Sequence, residues 1–218
     1  MTRQTLADQV YDRVVEAIVV GDIEAGSAIS ENEVAVRFGV SRGPAREAIF
    51  RLEAKGLVTR AAHYGARVVD LTLGDLQGLF EIREGLEGMA CRLAAARMSD
   101  AELDELERKL SLHASQPGIA SGQSYYQPGG DQDFHLSIAA ASHNPRLLRT
   151  LSGDLYDVMR VYRFRSSARP GRTLEALDEH KAIVAALRSR NPDAAEAAMR
   201  RHIQSSWSNI HNTFKDLA

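Results

Sequence analysis

Four side chains in the second half of this 218-residue chain are of the types that hold a transition metal: Asp131, His135, His180 and His202. Imidazole nitrogen and carboxylate oxygen together suit a divalent ion, zinc first, with nickel, manganese or iron as alternatives. Such a set can leave coordination positions open for water or a small ligand. Asp131 and His135 stand four residues apart, so one face of a helix would present both, whereas Asp133, two residues from His135, faces elsewhere. His180 and His202 fall near the start of one expected helix and in the middle of the next, so the set converges only if those helices pack together. Spacing alone favours another reading, in which histidines scattered over three helices are surface groups or satisfied core residues.

A second chemistry sits near the N-terminus, where Arg42 and Arg46 are spaced to project together from the first turns of a helix. A helix inserted into the DNA major groove presents its base-reading residues there, so the pair can reach guanine edges or phosphates. The whole chain is slightly acidic, with 27 basic against 29 acidic side chains. The charge of the docking face matters more than the total. Residues 37–60 carry Arg37, Arg42, Arg46, Arg51, Lys55 and Arg60 against only Glu47 and Glu53, a local excess of +4.

The elements that must position these arginines form a helix-turn-helix with a wing. Ser30 and Glu33 have capping-box spacing, Val34, Ala35 and Phe38 supply an apolar face, and Gly39 permits the left-handed residue that ends the helix. Ser41 reads as the N-cap of the second helix, with Pro44 tolerated in its first turn. Ala45, Ala48, Ile49 and Leu52 point opposite to Arg42 and Arg46. Strands over 57–60 and 67–70, joined by 61–66 with Gly65 at the turn, make the candidate wing.

After Asp70 the pattern changes to long amphipathic helices with almost no strand signal. One starts at Thr72 or at Gly74-Asp75 and runs towards Met98, with Leu76, Leu79, Phe80, Ile82, Leu86, Met89, Ala90, Leu93 and Ala94 as its apolar stripe. Ser99 and Glu102 form another capping box, residues 114–130 read as a loop anchored by Tyr125 and Tyr126, and helices are expected near 131–142, 145–168, 173–190 and 193–215. Asn144-Pro145 and Asn191-Pro192 read as N-caps followed by a helical proline. The fold class is therefore mainly α: a winged helix-turn-helix domain over 1–70, then an antiparallel all-α bundle of about six helices over 71–218. With 44% apolar content and no run approaching the roughly 20 residues of a spanning helix, a cytoplasmic protein without membrane attachment is expected. Cys91, the single cysteine, lies in a helical apolar pattern and reads as a small core residue.

These residues resemble a known family. Val20-Gly21-Asp22-Ile23-Glu24-Ala25-Gly26, Ser41-Arg42-Gly43-Pro44-Ala45-Arg46-Glu47-Ala48, Leu52-Glu53-Ala54-Lys55-Gly56-Leu57-Val58 and Tyr64-Gly65-Ala66-Arg67-Val68 are similar to the N-terminal domain of GntR-family bacterial transcription regulators over residues 5–70. The resemblance implies contacts to a double-stranded operator from Ser41, Arg42, Gly43 and Arg46, with the wing around Tyr64 and Gly65 at the minor groove. Asn32 and Gly43 depart from the arginine and threonine frequent in the family, each removing a side chain that could contact DNA, so the resemblance implies operator binding but not the operator sequence.

Residues 71–215 resemble the ligand-sensing domain of the FadR-type subfamily. The segments that carry this are Asp131-Gln132-Asp133-Phe134-His135, Glu179-His180-Lys181-Ala182-Ile183 and Met199-Arg200-Arg201-His202-Ile203. In metal-binding members the Asp and three His hold a divalent ion, and all four positions are filled here. Arg83-Glu84-Gly85-Leu86-Glu87 resembles the subfamily's signature on the first sensing helix. Arg83 suits bidentate pairing with the carboxylate of an organic acid effector, and a structural Arg83 to Glu87 pair is the competing reading. Tyr126, Arg160, Tyr162 and Arg163 are further candidate ligand contacts. Tyr125-Tyr126-Gln127, Gly153-Asp154-Leu155-Tyr156 and Arg160-Val161-Tyr162-Arg163 most resemble regulators associated with propionate catabolism, which implies a citrate-like acid such as 2-methylcitrate.

The expected function is ligand-gated repression by a homodimer on a palindromic operator. One rival is a metal-dependent hydrolase fused to a DNA-binding head, which lacks an HExxH helix or an evident partner carboxylate. The other is a constitutive DNA-binding protein with structural histidines.

Overall fold

The computed structural model describes residues 4–61, 65–121, 133–166 and 171–216, and divides into two compact units. The first comprises Met1–Leu71 with Gly153–Val161, and the second Thr72–Ser152 with Tyr162–Ala218.

In the first unit α1 (Leu6–Val19) opens with a full capping box between Thr5 and Asp8 and buries Val10, Val14, Val15 and Ile18. The turn that follows leads through β1 (Ala28–Ile29) to α2 (Glu31–Phe38), where Ser30 Oγ accepts from the Glu33 amide at 3.2 Å. Gly39, at φ 68°, ends α2 in the left-handed conformation anticipated for it. The second helix of the motif is α3 (Arg42–Ala54), which buries Ala45, Ala48, Ile49 and Leu52 as the spacing predicts. The wing strands β2 (Val58–Ala61) and β3 (Gly65–Val68) pair antiparallel, and β1 adds to the other edge of β3, giving the order β1-β3-β2. The ladder runs to the pair Ala61↔Gly65, so the strands reach nearer the hairpin tip than expected. β1 escapes a pattern search because two residues carry no measurable alternation. The early turns of α9 (Asp154–Ser166) belong to this unit: Tyr11 donates its hydroxyl to Asp157, and Arg160 pairs with Glu16 at 3.0 Å.

In the second unit α4 (Leu73–Arg97) and α5 (Asp100–Ala114) both start at full capping boxes, from Thr72 to Asp75 and from Ser99 to Glu102. The short α6 (Pro117–Ala120) falls inside the expected loop. Then come α7 (Phe134–Ala141), α8 (Pro145–Ser152), α10 (Arg172–Arg188) and α11 (Pro192–Asp216). Both Asn-Pro caps form: Asn144 Oδ1 accepts from the Leu147 amide at 3.2 Å and Asn191 Oδ1 from the Ala194 amide at 3.0 Å. Two expectations are corrected. The helix expected over 145–168 divides at Gly153 into α8 and α9, and α7 begins at Phe134 because Asp133 takes the N-cap, accepting from the Leu136 amide at 3.0 Å.

α4 and α11 form the largest helix contact and run antiparallel, with Phe80 against Trp207, Glu84 bonded to Gln204 and Arg92 to Glu196. A side chain at Gly88 would press on Arg200 at 3.2 Å, so glycine there lets the two helices approach. The buried stripe of α4 differs from the expected one: Ile82 and Met89 are 50% and 41% exposed, while Arg83 and Glu87 are buried. Helical geometry places 76, 80, 83, 87, 90 and 94 on one side, and two of those positions carry charge. Apolar counting alone therefore rotates the predicted face away from them. Cys91 is buried, and burial pushes its thiol pKa well up, as a core residue requires. No helix among the described residues is long and apolar enough to cross a membrane.

Candidate metal centre and DNA-reading face

Four helices bring the charged and imidazole side chains of the second unit together, since α4 packs against α7, α10 and α11. His135 comes from the first turn of α7, His180 from the middle of α10 and His202 from α11, and all three are buried. Each offers a ring nitrogen such that all three lie within 4.8 Å of one another, and His180 Nε2 stands 3.3 Å from His202 Nε2. Phe134 stacks on His180 with centroids 4.1 Å apart and walls one side with hydrocarbon. Asp131, the expected fourth ligand, lies outside the described residues.

Two carboxylates that the sequence reading did not assign to the centre hold the outer nitrogens. Glu87 Oε2 is 2.5 Å from His135 Nδ1, and Glu179 Oε2 is 2.7 Å from His202 Nδ1. Each carboxylate is held in turn by an arginine. Arg83 Nε donates to Glu87 Oε1 at 2.6 Å, and Arg172 donates to both Glu179 oxygens at 3.1 and 2.7 Å. A neutral imidazole that donates from Nδ1 presents its lone pair at Nε2, the tautomer a metal requires. Burial drives the His202 pKa down to about 4 against the pull of Glu179, so the ring is neutral near pH 7. Burial alone would raise the Glu179 carboxyl, but hydrogen bonds from His202 and Arg172 outweigh it and hold the value at about 2. Three imidazoles with converging nitrogens, which ligate in their neutral form, fit a divalent ion of the borderline-soft class.

The other expected ligand contacts separate. Arg83 is tied to the histidines through Glu87, so the internal Arg83 to Glu87 pair forms. Arg160 meets Glu16 and Asp157 inside the first unit. Tyr162 is buried, and Tyr126 and the Arg163 side chain lie outside the described residues. Arg172 was missed because an arginine at a helix start carries no spacing signal. Glu179 was missed because it serves the neighbouring helix rather than its own.

In the first unit the exposed side of α3 offers Arg42 and Arg46, the latter 75% exposed and 3.5 Å from Glu31. Ser41 occupies the N-cap position but makes no side-chain cap bond, and a side chain at Gly43 would meet nothing within 4 Å. Gly65, at φ 73°, shapes the hairpin end, and Tyr64 lies outside the described residues. A cleft of about 520 Å³ runs between α2, α3 and the wing, lined by Glu31, Asn32, Arg42, Arg60 and Gly65. Arg60, one of the basic segment's side chains, lines this cleft and stands 3.4 Å from Glu53.

Comparison with known proteins follows the same division. Residues 6–68 match the model described as bacterial regulatory proteins, gntR family, and residues 78–205 match the FCD domain. The chain is 34% identical over 203 residues to the "Probable D-xylose utilization operon transcriptional repressor" of Paenarthrobacter nicotinovorans, covering 93% of this chain and 88% of that one. It is 30% identical to the HTH-type transcriptional repressor RspR of Escherichia coli (strain K12), covering 92% and 87%. Among solved structures, E. coli McbR/YncC superposes with a TM-score of 0.75 at 20% identity, covering 96% of this chain and 99% of that one, and shares the fold.

Proposed function

Because this chain belongs to the GntR family of bacterial transcription regulators and carries an FCD domain, we propose that it is a repressor gated by a small organic acid bound at a divalent metal in the helical domain. The family is one of transcription regulators, not of enzymes, so the hydrolase reading is set aside. Residues 1–70 form the DNA-binding domain in this reading and 71–218 the sensing domain. A homodimer places two reading helices on a palindromic operator, and the exposed Ile82 and Met89 on α4 offer apolar surface for pairing copies.

The observation that carries the proposal is the convergence of His135, His180 and His202, with two of the rings oriented from behind by carboxylates. Asp131 completes the set in this reading, with zinc first among the candidate metals. The bound ion supplies positive charge and open coordination positions to an incoming ligand. The chain's own residues fix the sign of that preference. Glu87 is offset by Arg83 and Glu179 by Arg172, and an imidazole that ligates a metal is neutral, so even with Asp131 ionised a divalent ion leaves the site positive. An anion is the matching ligand, and burial strengthens the preference by excluding water. That the acid is citrate-like, with 2-methylcitrate the named case, rests on sequence resemblance alone.

Ligand gating requires the acid to bind one arrangement of the DNA-binding heads more tightly than the other, and a coupling of about 1–3 kcal/mol produces a several-fold to hundredfold response. The test is a titration of an operator duplex, from the chain's own promoter region, with metal-loaded protein in the presence and absence of citrate and 2-methylcitrate. Metal content is measured in parallel for the parent and for His180→Ala and His202→Ala. A change of operator affinity with acid that vanishes in both variants is expected. Unchanged metal content in both variants would remove the site, and operator affinity indifferent to every acid tried would leave a constitutive DNA-binding protein.

A further inference from the structure

We propose that Glu87 and Glu179 are positioning residues of the metal centre, which set the tautomer and angle of His135 and His202, and that Arg83 and Arg172 hold them in place. This rests on the metal reading above and deepens it. A histidine detached from any partner samples both tautomers and turns about its ring axis, so a site built from such rings must order them when the ion arrives. Here that ordering is built in. Glu179 stands next to ligand His180 on α10, yet its carboxylate crosses to Nδ1 of His202 on α11 at 2.7 Å. Glu87 on α4 crosses likewise to Nδ1 of His135 on α7 at 2.5 Å.

Neither carboxylate is placed as a ligand. Nδ1 and Nε2 lie on different edges of the ring, so an oxygen bonded to Nδ1 sits behind the imidazole as seen from an ion at Nε2. Both Glu179 oxygens are also engaged by the Arg172 guanidinium, whose Nη2 further donates to Ser206 Oγ at 3.1 Å. Arg172 is only 5% exposed, and it forms this clamp from the first turn of α10. A carboxylate behind the ring also makes the ligating nitrogen more basic, which strengthens its bond to the ion.

The experiment uses the full-length chain, with Zn²⁺ affinity read by competition against a chromophoric chelator and Co²⁺ as a spectroscopic probe of ligand geometry. Glu179→Gln and Glu179→Ala are expected to weaken Zn²⁺ binding by about 10- to 100-fold and to shift the visible Co²⁺ bands, with Glu179→Asp recovering part of the affinity. Circular dichroism of the metal-free variants checks that the helices persist. If Glu179→Gln fails to fold, Arg172→Lys carries the test: it keeps the charge, loses the fork and is expected to shift the same Co²⁺ bands. Parent-like affinity and spectrum in the folded variants would overturn the positioning role while leaving the metal site intact. A parent protein that takes up neither ion would overturn the metal reading itself.

Discussion

Replacing Arg83 with methionine is expected to destabilise the helical domain severely, while replacing Arg83 and Glu87 together is expected to cost far less than the two single changes combined. The pair is buried at both ends, with side chains 2% and 5% exposed and an N to O separation of 2.6 Å. At an effective dielectric near 20, unit charges at that distance attract by about 6 kcal/mol. Removing both from water costs several kcal/mol per ion and largely cancels this, so the intact pair contributes little net stability. Breaking it is another matter, because one charge remains buried without its counter-ion, at a cost of about 3–5 kcal/mol. For a chain of this size each kcal/mol moves the melting temperature by about 2–4 °C, so Arg83→Met and Glu87→Leu should each lower it by about 6–20 °C. The double variant leaves no buried charge behind and gives up contacts such as the Glu87 bond to His135 and the Arg83 guanidinium over the Phe80 ring, each on the order of 1–3 kcal/mol. Trp207, the sole tryptophan, lies against Phe80 one turn before Arg83 and reports this unit specifically. Fluorescence melts of metal-free protein therefore give the cycle directly. A single variant melting within about 2 °C of the parent, or a double variant whose loss equals the sum of the singles within about 0.5 kcal/mol, would refute the reasoning.

Arg46→Ala should weaken binding to a specific operator by about 1–3 kcal/mol if Arg46 reads a base, with a smaller loss on random duplex in a fluorescence anisotropy titration; equal losses on both would make it a phosphate contact. His113, buried on α5, has its pKa lowered from 6.5, chiefly by burial and against the pull of Asp133. The unfolded chain therefore takes up a proton below pH 6.5 that the folded chain resists. The associated stability is complete above pH 6.5 and drains away as pH falls through the folded value. Urea unfolding between about pH 5 and 8 should show His113→Gln with a shallower loss on the acid side than the parent, and parallel curves would discount the effect.

Much of this architecture was legible because local chemistry and global fold agree. Thr72, Ser99 with Glu102 and the two Asn-Pro caps mark helix starts that the structure reproduces. Gly39 and Gly65 mark backbone conformations that side chains resist. The three histidines were legible as a set only through resemblance to a family, since spacing says nothing about which helices touch. What stayed hidden shares one physical cause: a side chain that works across a helix boundary leaves no periodic trace. Arg83 and Glu87 interrupt the apolar stripe of α4, so a search for hydrophobic faces turns away from the side that faces the centre. Glu179 and Arg172 read as ordinary surface charge until α11 lies beside them. Asp133 caps a helix expected to begin at about 131, because its carboxylate satisfies the Leu136 amide directly.

The unused hydroxyl at the head of α3 has a consequence for how the protein meets DNA. Helices α1, α2, α4 and α5 each begin with a capping side-chain oxygen and an acidic residue in the first turn, whereas α3 has neither. No side-chain oxygen caps its leading amides, at the end where aligned peptide dipoles concentrate positive potential. A phosphate of the operator backbone arriving there takes the place the missing cap would have filled, so the duplex finishes the helix that reads it.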